Sequence, residues 1–600
     1  MKKIIRNSLA VFLSCLIFTA NAAQKNISLY NAPKYKTGFE NFEYVNPKAP
    51  KGGKIVMPEY GSFDNFNPFI FKGSASGTVA GLIWDSLGYS PTDDIATVYP
   101  LIAKEFEYTS EYVGFIIDEN AKFADGSKIS ADDVIFSFNI LIEKGAPIYK
   151  VYYSDVEKVE KINNYHVRFY FKKGSNNKEL PLILSQFKIF SSKYWQDKDF
   201  AKPSLEIPLG NGPYKIKKFS AGKYVILERD KNYWAQNLAS RKGHFNFDEI
   251  RIDYYQDTTV TLQALFAGNI DVREEYIAKI WATGYDNELV KKGDVVKQSF
   301  SHQEPAVLQH FAFNLRKDIF KDKRVRRAID LAFNFEWANS KLFYNQYKRL
   351  DSYFTNSSME AYGLPKGLEK QILEQYKDKL DEQIFTTSFS LPDNSTPEKL
   401  RGNLKQAVLL LQQAGFDFVD GKMTNLATGL PLKFEIISNS ANGSTFTRVM
   451  LPFIANLKKI GIEASFRTID VNVFKNRMDN FEFDMAIMSY RMSQMPGNEL
   501  KEMFGSASAD VKGSYNIMGI KNDVVDSLIN KIVSAQTKEE YVASVKALDR
   551  VMLNEYYLIF QWYSGVNRVG YRNKFGMPDT NLKIGYQPFL WWDKKAEIKK

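Results

Sequence analysis

The chain has 600 residues, of which 44% are hydrophobic and 25% charged. That composition excludes a disordered chain and predicts roughly three or four domains. One cysteine and four scattered histidines exclude a disulfide framework, thiol catalysis in the processed chain and any tight zinc-ligand spacing. The formal net charge of +11 is mild for this length and favours anionic ligands or a membrane surface over nucleic acid.

Residues 1–22 read as a secretory signal peptide. Lys2, Lys3 and Arg6 form a positive start, Leu9 to Ala20 is mostly apolar, and Ala20-Asn21-Ala22 supplies small residues for cleavage after Ala22. The apolar stretch falls short of the about 20 residues of a membrane span. Cys15 lies inside it, with Leu16-Ile17-Phe18 continuing the run, so a lipid anchor is not expected. Removal of the leader lowers the net charge to +8 and leaves no cysteine. The mature protein is therefore expected to be exported and soluble.

Residues 53 to 300 read mainly as strands. Gly53 to Pro58 predicts a first strand. Asp125-Gly126 predicts a turn into a helix near 131–143, with Ser130 as cap, Asp133 answering at the third position, and Val134, Phe138 and Leu141 or Ile142 on the buried stripe. Tyr165 to Phe171 alternates as a strand. Residues 215–219 and 224–228 flank Ser220-Ala221-Gly222-Lys223 as a hairpin. Lys323, Arg324, Arg326 and Arg327 form the densest basic cluster. Val325, Ala328, Ile329 and Ala332 recur there at helical spacing, which predicts a helix whose basic residues occupy a solvated face.

Residues 400 to 490 alternate differently. Helices are expected over 404–414 and 446–460, ended by Gly415 and Gly461, with strands over 432–437, 462–469 and 483–488. This implies a mixed sheet covered by helices. Two differently built halves predict two lobes with a cleft between them. No catalytic signature accompanies them: no P-loop and no GxGxxG appear, and in Gly73-Ser74-Ala75-Ser76-Gly77 alanine stands where a nucleophile elbow needs serine. The 87 aromatic residues that remain beside this absence suit both a large core and a cleft gripping an organic ligand.

Seven segments carry a family resemblance. KFADGSKISADDVIFSFN (122–139), GNGPYK (210–215), LERDKNYW (227–234), ALFAGNIDV (264–272), residues 311–332, LLLQQAGF (409–416) and residues 483–490 resemble, in order, segments of the family 5 extracellular solute-binding proteins, the dipeptide- and oligopeptide-binding components of ABC importers. YVNPKAPKGG (44–53), SFDNFNPF (62–69), PGNE (496–499) and QWYSGV (561–566) further resemble the Yej-type subgroup. The resemblance implies an α/β, bilobed periplasmic binding protein type II-like fold with an additional subdomain in the first lobe. The expected division is 23–76, 206–300 and 563–600 for lobe I, 77–205 for its subdomain and 301–562 for lobe II. It also implies a periplasmic location, an oligopeptide or peptide-like ligand, an inner-membrane ABC permease with its ATPase as partners, no cofactor or metal, and no chemistry; a cleft that must open favours a monomer. An exported hydrolase of peptides or glycans is the alternative.

Three segments are candidates for the ligand site. In the loop after the first strand, Tyr60, Phe63, Asp64 and Asn65 could meet a peptide that adds as a strand, and Gly61 allows close backbone approach. A buried loop fixing strand order is the competing reading. After the strand at Phe483 stand Tyr490, Arg491, Ser493, Gln494 and Glu499. Many members of the resembled family place an Asp near here on the ligand's amino group, and Ser493 falls at that place. Serine cannot supply the ion pair, so Glu499 or Asp64 could take its role. Arg491 could face a carboxylate or phosphate, or serve as a surface ion pair. Gln561, Trp562 and Tyr563 could form a stacking floor or pack in the core. The chain crossings near 298–306 and 558–566 would be the hinge.

Overall fold

The structure is a computed structural model and describes residues 23–30, 33–146, 148–175, 177–439, 443–579, 582 and 584–597. The leader, its cleavage site and Cys15 lie outside the described residues.

The first lobe is built on two sheets. Strands Lys54–Tyr60, Glu249–Tyr255, Tyr224–Arg229 and Tyr214–Ser220 pair in that spatial order. The first two are parallel, with Tyr60 opposite Tyr255. The hairpin turns at Gly222, whose φ of 67° is one glycine adopts freely. Strands Val272–Glu274, Val566–Arg572 and Val295–Ser301 form the second sheet, antiparallel throughout.

A four-stranded antiparallel sheet, Ala103–Tyr108, Tyr112–Ile117, His166–Phe171 and Val156–Asn163, carries helix Ala131–Lys144 on one face. The helix begins where expected because its capping box closes. Asp133 Oδ2 accepts from the Ser130 amide and hydroxyl, each at 2.9 Å. Val134, Phe138 and Leu141 are buried, whereas Ile142 is only partly so. This layer shares one hydrophobic core with the first lobe. The Gly210-Asn211-Gly212-Pro213 segment docks it: the amides of Asn211 and Gly212 donate to the Ile83 carbonyl at 3.0 and 2.9 Å. A Cβ on either glycine would strike the carbonyls of Leu82 or Ile83, so these glycines serve close packing.

The second lobe centres on a five-stranded mixed sheet ordered Glu463–Ile469, Lys433–Asn439, Met485–Tyr490, Leu308–Phe313 and Leu558–Phe560. Both faces are covered. Leu308 and Ala312 enter one core while Phe311 and Phe313 enter the other, as the two-residue period of a strand requires. Helices Pro397–Gln413 and Gly443–Lys459 end before Gly415 and Gly461, at φ of 89° and 78°.

Helix Lys323–Leu331 corrects one sequence reading. Arg326 is not on a solvated face. It is 3% exposed, and its guanidinium donates to the carbonyls of Phe320, Lys321, Glu555 and Tyr556. The helix packs between two layers, so a face that is polar by sequence is covered by neighbouring backbone, and arginine's fan of donors satisfies it. Arg324 does stay exposed, paired with Asp322.

Candidate binding cleft between the lobes

The chain passes from the first-lobe sheets to the second-lobe sheet through residues 302–307 and returns through 564–565. Strand Lys54–Tyr60 ends at Tyr60, 39% exposed, with its hydroxyl 3.2 Å from that of Thr261. Gly61, at φ 96°, turns the chain, and its amide donates to Tyr255 at 2.9 Å. Phe63 then points inward, against Tyr254 at 4.8 Å and Phe66 at 5.6 Å. Asn65 is buried and accepts from the Asn67 amide at 2.8 Å. Asp64 is exposed, but its Oδ1 accepts from the Ser74 amide and from Asn65, each at 2.8 Å. These bonds hold its carboxyl below the usual range.

A second first-lobe loop reaches further into the cleft. Arg273 and Glu275 flank Glu274 as a buried ion pair, and Arg273 also donates to Thr261 at 2.7 Å. Breaking such a buried pair would strand a desolvated charge, so the loop is held in this arrangement. The Glu275 carboxylate accepts from the Ile277 amide at 2.8 Å. Tyr276 is thereby held outward, 64% exposed. Its hydroxyl donates to Glu274 at 2.6 Å, and Glu274 accepts in turn from Asn567 at 2.8 Å. Desolvation first, and then the Glu274 carboxylate, push the Tyr276 hydroxyl pKa well up, while Arg491 of the other lobe pulls it down.

Across the cleft, strand Met485–Tyr490 ends with Tyr490 buried. Its ring packs on His310 at 5.2 Å and its hydroxyl donates to the Tyr515 carbonyl at 2.6 Å. Arg491 follows, exposed, and enters no hydrogen bond or ion pair among the described residues. The Ser493 hydroxyl closes its own turn, accepting from the Met495 amide at 3.0 Å and donating to its carbonyl at 2.8 Å. Gln494 is partly exposed. Glu499 accepts from the Gly497 amide at 3.0 Å, and burial pushes its carboxyl pKa up.

The return segment divides. Gln561 is fully buried and accepts from the Gln309 side chain at 2.6 Å. The Trp562 ring, 8% exposed, packs between Phe343 at 4.7 Å and Phe446 at 6.0 Å, inside the second-lobe core. Tyr563 is half-buried, with its hydroxyl pKa raised by desolvation and then by Asp351 and Glu360.

Tyr276 thus stands within electrostatic reach of Tyr60 in its own lobe and of Arg491 in the other. Phe63, Asn65, Tyr490, Gln561 and Trp562 are buried. Glu274, Tyr276 and Tyr347, whose hydroxyl donates to the Tyr276 carbonyl at 2.8 Å, were not singled out by sequence. The one local signal was an exposed tyrosine following two acids at the end of a short strand.

Residues 97–510 match the family described as bacterial extracellular solute-binding proteins, family 5. The chain belongs to that family. It is 37% identical, over 96% of its length and 94% of the relative's, to a probable peptide-binding protein YejA of Agrobacterium fabrum. It is 32% identical, over 95% of each chain, to the peptidoglycan-binding protein YepA of the same organism. Among solved structures it resembles the oligopeptide-binding protein AppA of Bacillus subtilis in complex with a nonapeptide. The TM-score is 0.68 at 20% identity, covering 91% of this chain and 100% of that one. The fold is thus that of the type II periplasmic binding proteins, α/β and bilobed. No described helix is long and apolar enough to cross a membrane.

Proposed function

We propose that this family 5 member is the periplasmic substrate-binding component of an ABC importer. It captures oligopeptides or peptide-like compounds between its lobes by hinge closure and delivers them to an inner-membrane permease driven by its ATPase. The leader 1–22 is cleaved. Residues 23–76, 206–300 and 563–600 are lobe I, 77–205 its subdomain and 301–562 lobe II. The protein acts as a monomer, without cofactor and without chemistry on its ligand.

What supports this reading is that Tyr276, beside Tyr60 in the first lobe, lies within electrostatic reach of Arg491 in the second, with the two lobes joined by two chain crossings. In this reading Tyr60, Asp64, Arg491, Gln494 and Tyr563 touch the ligand. Phe63, Asn65, Tyr490, Ser493, Glu499, Gln561 and Trp562 shape the walls behind them. Tyr276 offers an apolar face and a polar tip, and Arg491 a planar fork for a carboxylate.

Peptidoglycan-derived peptides are the second reading, supported by the likeness to YepA. Native mass spectrometry of the protein purified from its own periplasm, repeated after denaturation, tests both. A released family of linear peptides supports the first. Released peptides containing D-residues and a diamino acid support the second. Turnover of added peptide or glycan by the purified protein would instead support the hydrolase alternative.

A further inference from the structure

The two lobes meet at a second place, away from the crossings. Glu179, at the start of the subdomain helix Leu180–Gln186, lays its carboxyl group on Gly497 of the second lobe. Any side chain at Gly497 would collide with that carboxyl, which gives the glycine of the Pro496-Gly497-Asn498-Glu499 segment a reason unrelated to its backbone angles. From the same turn Glu499 folds back on the Gly497 amide through Oε2, while its Oε1 is buried with no hydrogen-bond partner among the described residues. Neither carboxylate enters an ion pair among the described residues.

The groups around the two acids are tyrosines and one further acid. Tyr541, on helix Lys538–Glu555, donates to the Pro496 carbonyl at 2.9 Å and stacks on Tyr30 of the N-terminal segment at 5.0 Å. Tyr30 and Tyr541 face Glu179, Glu540 faces Tyr30, and Tyr152 of the short helix Ile148–Tyr152 faces Glu499. The Asn498 amide is the group that favours a charged Glu179. Lys178, next to Glu179, is directed to Gln536 of the second lobe instead.

We propose that this contact is a proton-linked latch: when the lobes close, Glu179 comes to lie beside Glu499 at Gly497 and takes up a proton from solvent. The proposal rests on the reading that the protein binds by closure. In the closed form desolvation first, and Glu499 second, push the Glu179 carboxyl up to about 8 from its ordinary 4.5. In the open form the two acids separate into water, and the ordinary value returns. The closed form therefore holds the extra proton between those two values. Closing becomes harder as pH rises from about 4.5 to about 8, by up to tenfold per unit, and is independent of pH above that. A binding protein with this latch holds its load in an acid periplasm and opens more readily in a neutral one.

The test uses residues 23–600, which contain no cysteine, with spin labels at K173C on the subdomain and K538C on the second lobe, both exposed positions. Pulsed-EPR distances are recorded at pH 5, 6.5, 8 and 9, alone and with the low-mass fraction released from denatured native protein. The expected result is a short-distance population that falls at least tenfold between pH 5 and 8 in the unliganded protein. In Glu179→Gln it should stay at its pH 5 level throughout. Lys178→Ala, which loses a contact with Gln536 but no titrating carboxyl group, should change that population while keeping the pH slope. A pH-independent distance that still shortens with the released fraction overturns the latch and leaves binding by closure standing. A distance that responds to neither overturns both. An unchanged slope in Glu179→Gln overturns the latch.

Discussion

The Tyr347 hydroxyl of the second lobe donates to the backbone carbonyl of Tyr276 in the first, at 2.8 Å. The Arg568 guanidinium, also of the first lobe, lies over the Tyr347 ring at 4.8 Å, so the first lobe holds this side chain at two points. One bond of this kind ties the cleft wall to its floor without touching a ligand. Tyr347→Phe keeps the ring packing and loses one neutral hydrogen bond, worth about 1 kcal/mol net. The expected outcome is an about fivefold weaker ligand affinity by titration calorimetry, with an unchanged urea midpoint. Unchanged affinity would place Tyr347 outside the closing motion.

Arg491 has no partner among the described residues to lose, so its removal should leave the fold alone. Arg491→Ala should stay within about 0.5 kcal/mol of the parent in urea unfolding. Binding of a carboxylate-bearing peptide should fall about 10- to 100-fold, the range for a hydrogen bond to a charged group. Arg491→Lys should recover only part, because an ammonium cannot match a carboxylate with two parallel bonds. A large stability loss with intact affinity would contradict this role.

Arg326 and Arg324 stand in one helix and should behave oppositely. Arg326→Ala leaves four buried or part-buried carbonyl groups without their donor and should cost about 3 kcal/mol, the lower end of the scale for breaking a buried charged contact. Arg324→Ala removes an exposed pair with Asp322 and should cost at most about 1 kcal/mol. Urea midpoints at constant m-value separate the two. Equal effects would mean that Arg326 is solvated after all.

His310 titrates against the fold. It is fully buried under Tyr490, its Nδ1 lies 2.9 Å from the Leu308 carbonyl and so carries the hydrogen, and burial pushes its pKa down to about 4 from 6.5. A depressed histidine contributes stability that is present above pH 6.5 and is lost as pH falls through 4, about 3 kcal/mol in all. His244 is depressed in the same direction, to about 3. His310→Gln should therefore shallow the acid limb of the stability–pH curve without flattening it. An unaltered limb would show that His310 does not remain neutral in the fold.

Much of the architecture was legible because its causes are local. Ser130 and Asp133 lie three residues apart and cap one helix. Gly415 and Gly461 stop two others at angles only glycine adopts freely. The hairpin over 214–229 follows from alternation and its turn. The cleft residues were legible only in part. Tyr60 and Arg491 could be named from the segments they follow. Trp562 could not be placed by sequence, because an aromatic ring after a strand reads alike in a core and at a cleft floor, and here Phe343 and Phe446 enclose it.

Sequence by itself thus determined the elements, their order and the family, since these rest on hydrogen bonds and periodicities spanning a few residues. Tertiary structure alone decided which polar groups face water, a partner or each other. Arg326 is roofed by the backbone at Glu555, Tyr276 stands before Arg491, and Glu179 lies on Gly497. Each of these pairs is distant in the chain, and the physical reason is the same in all three. The free energy of a charged or polar side chain is set by what desolvates it, and that comes from elements the local sequence does not contain.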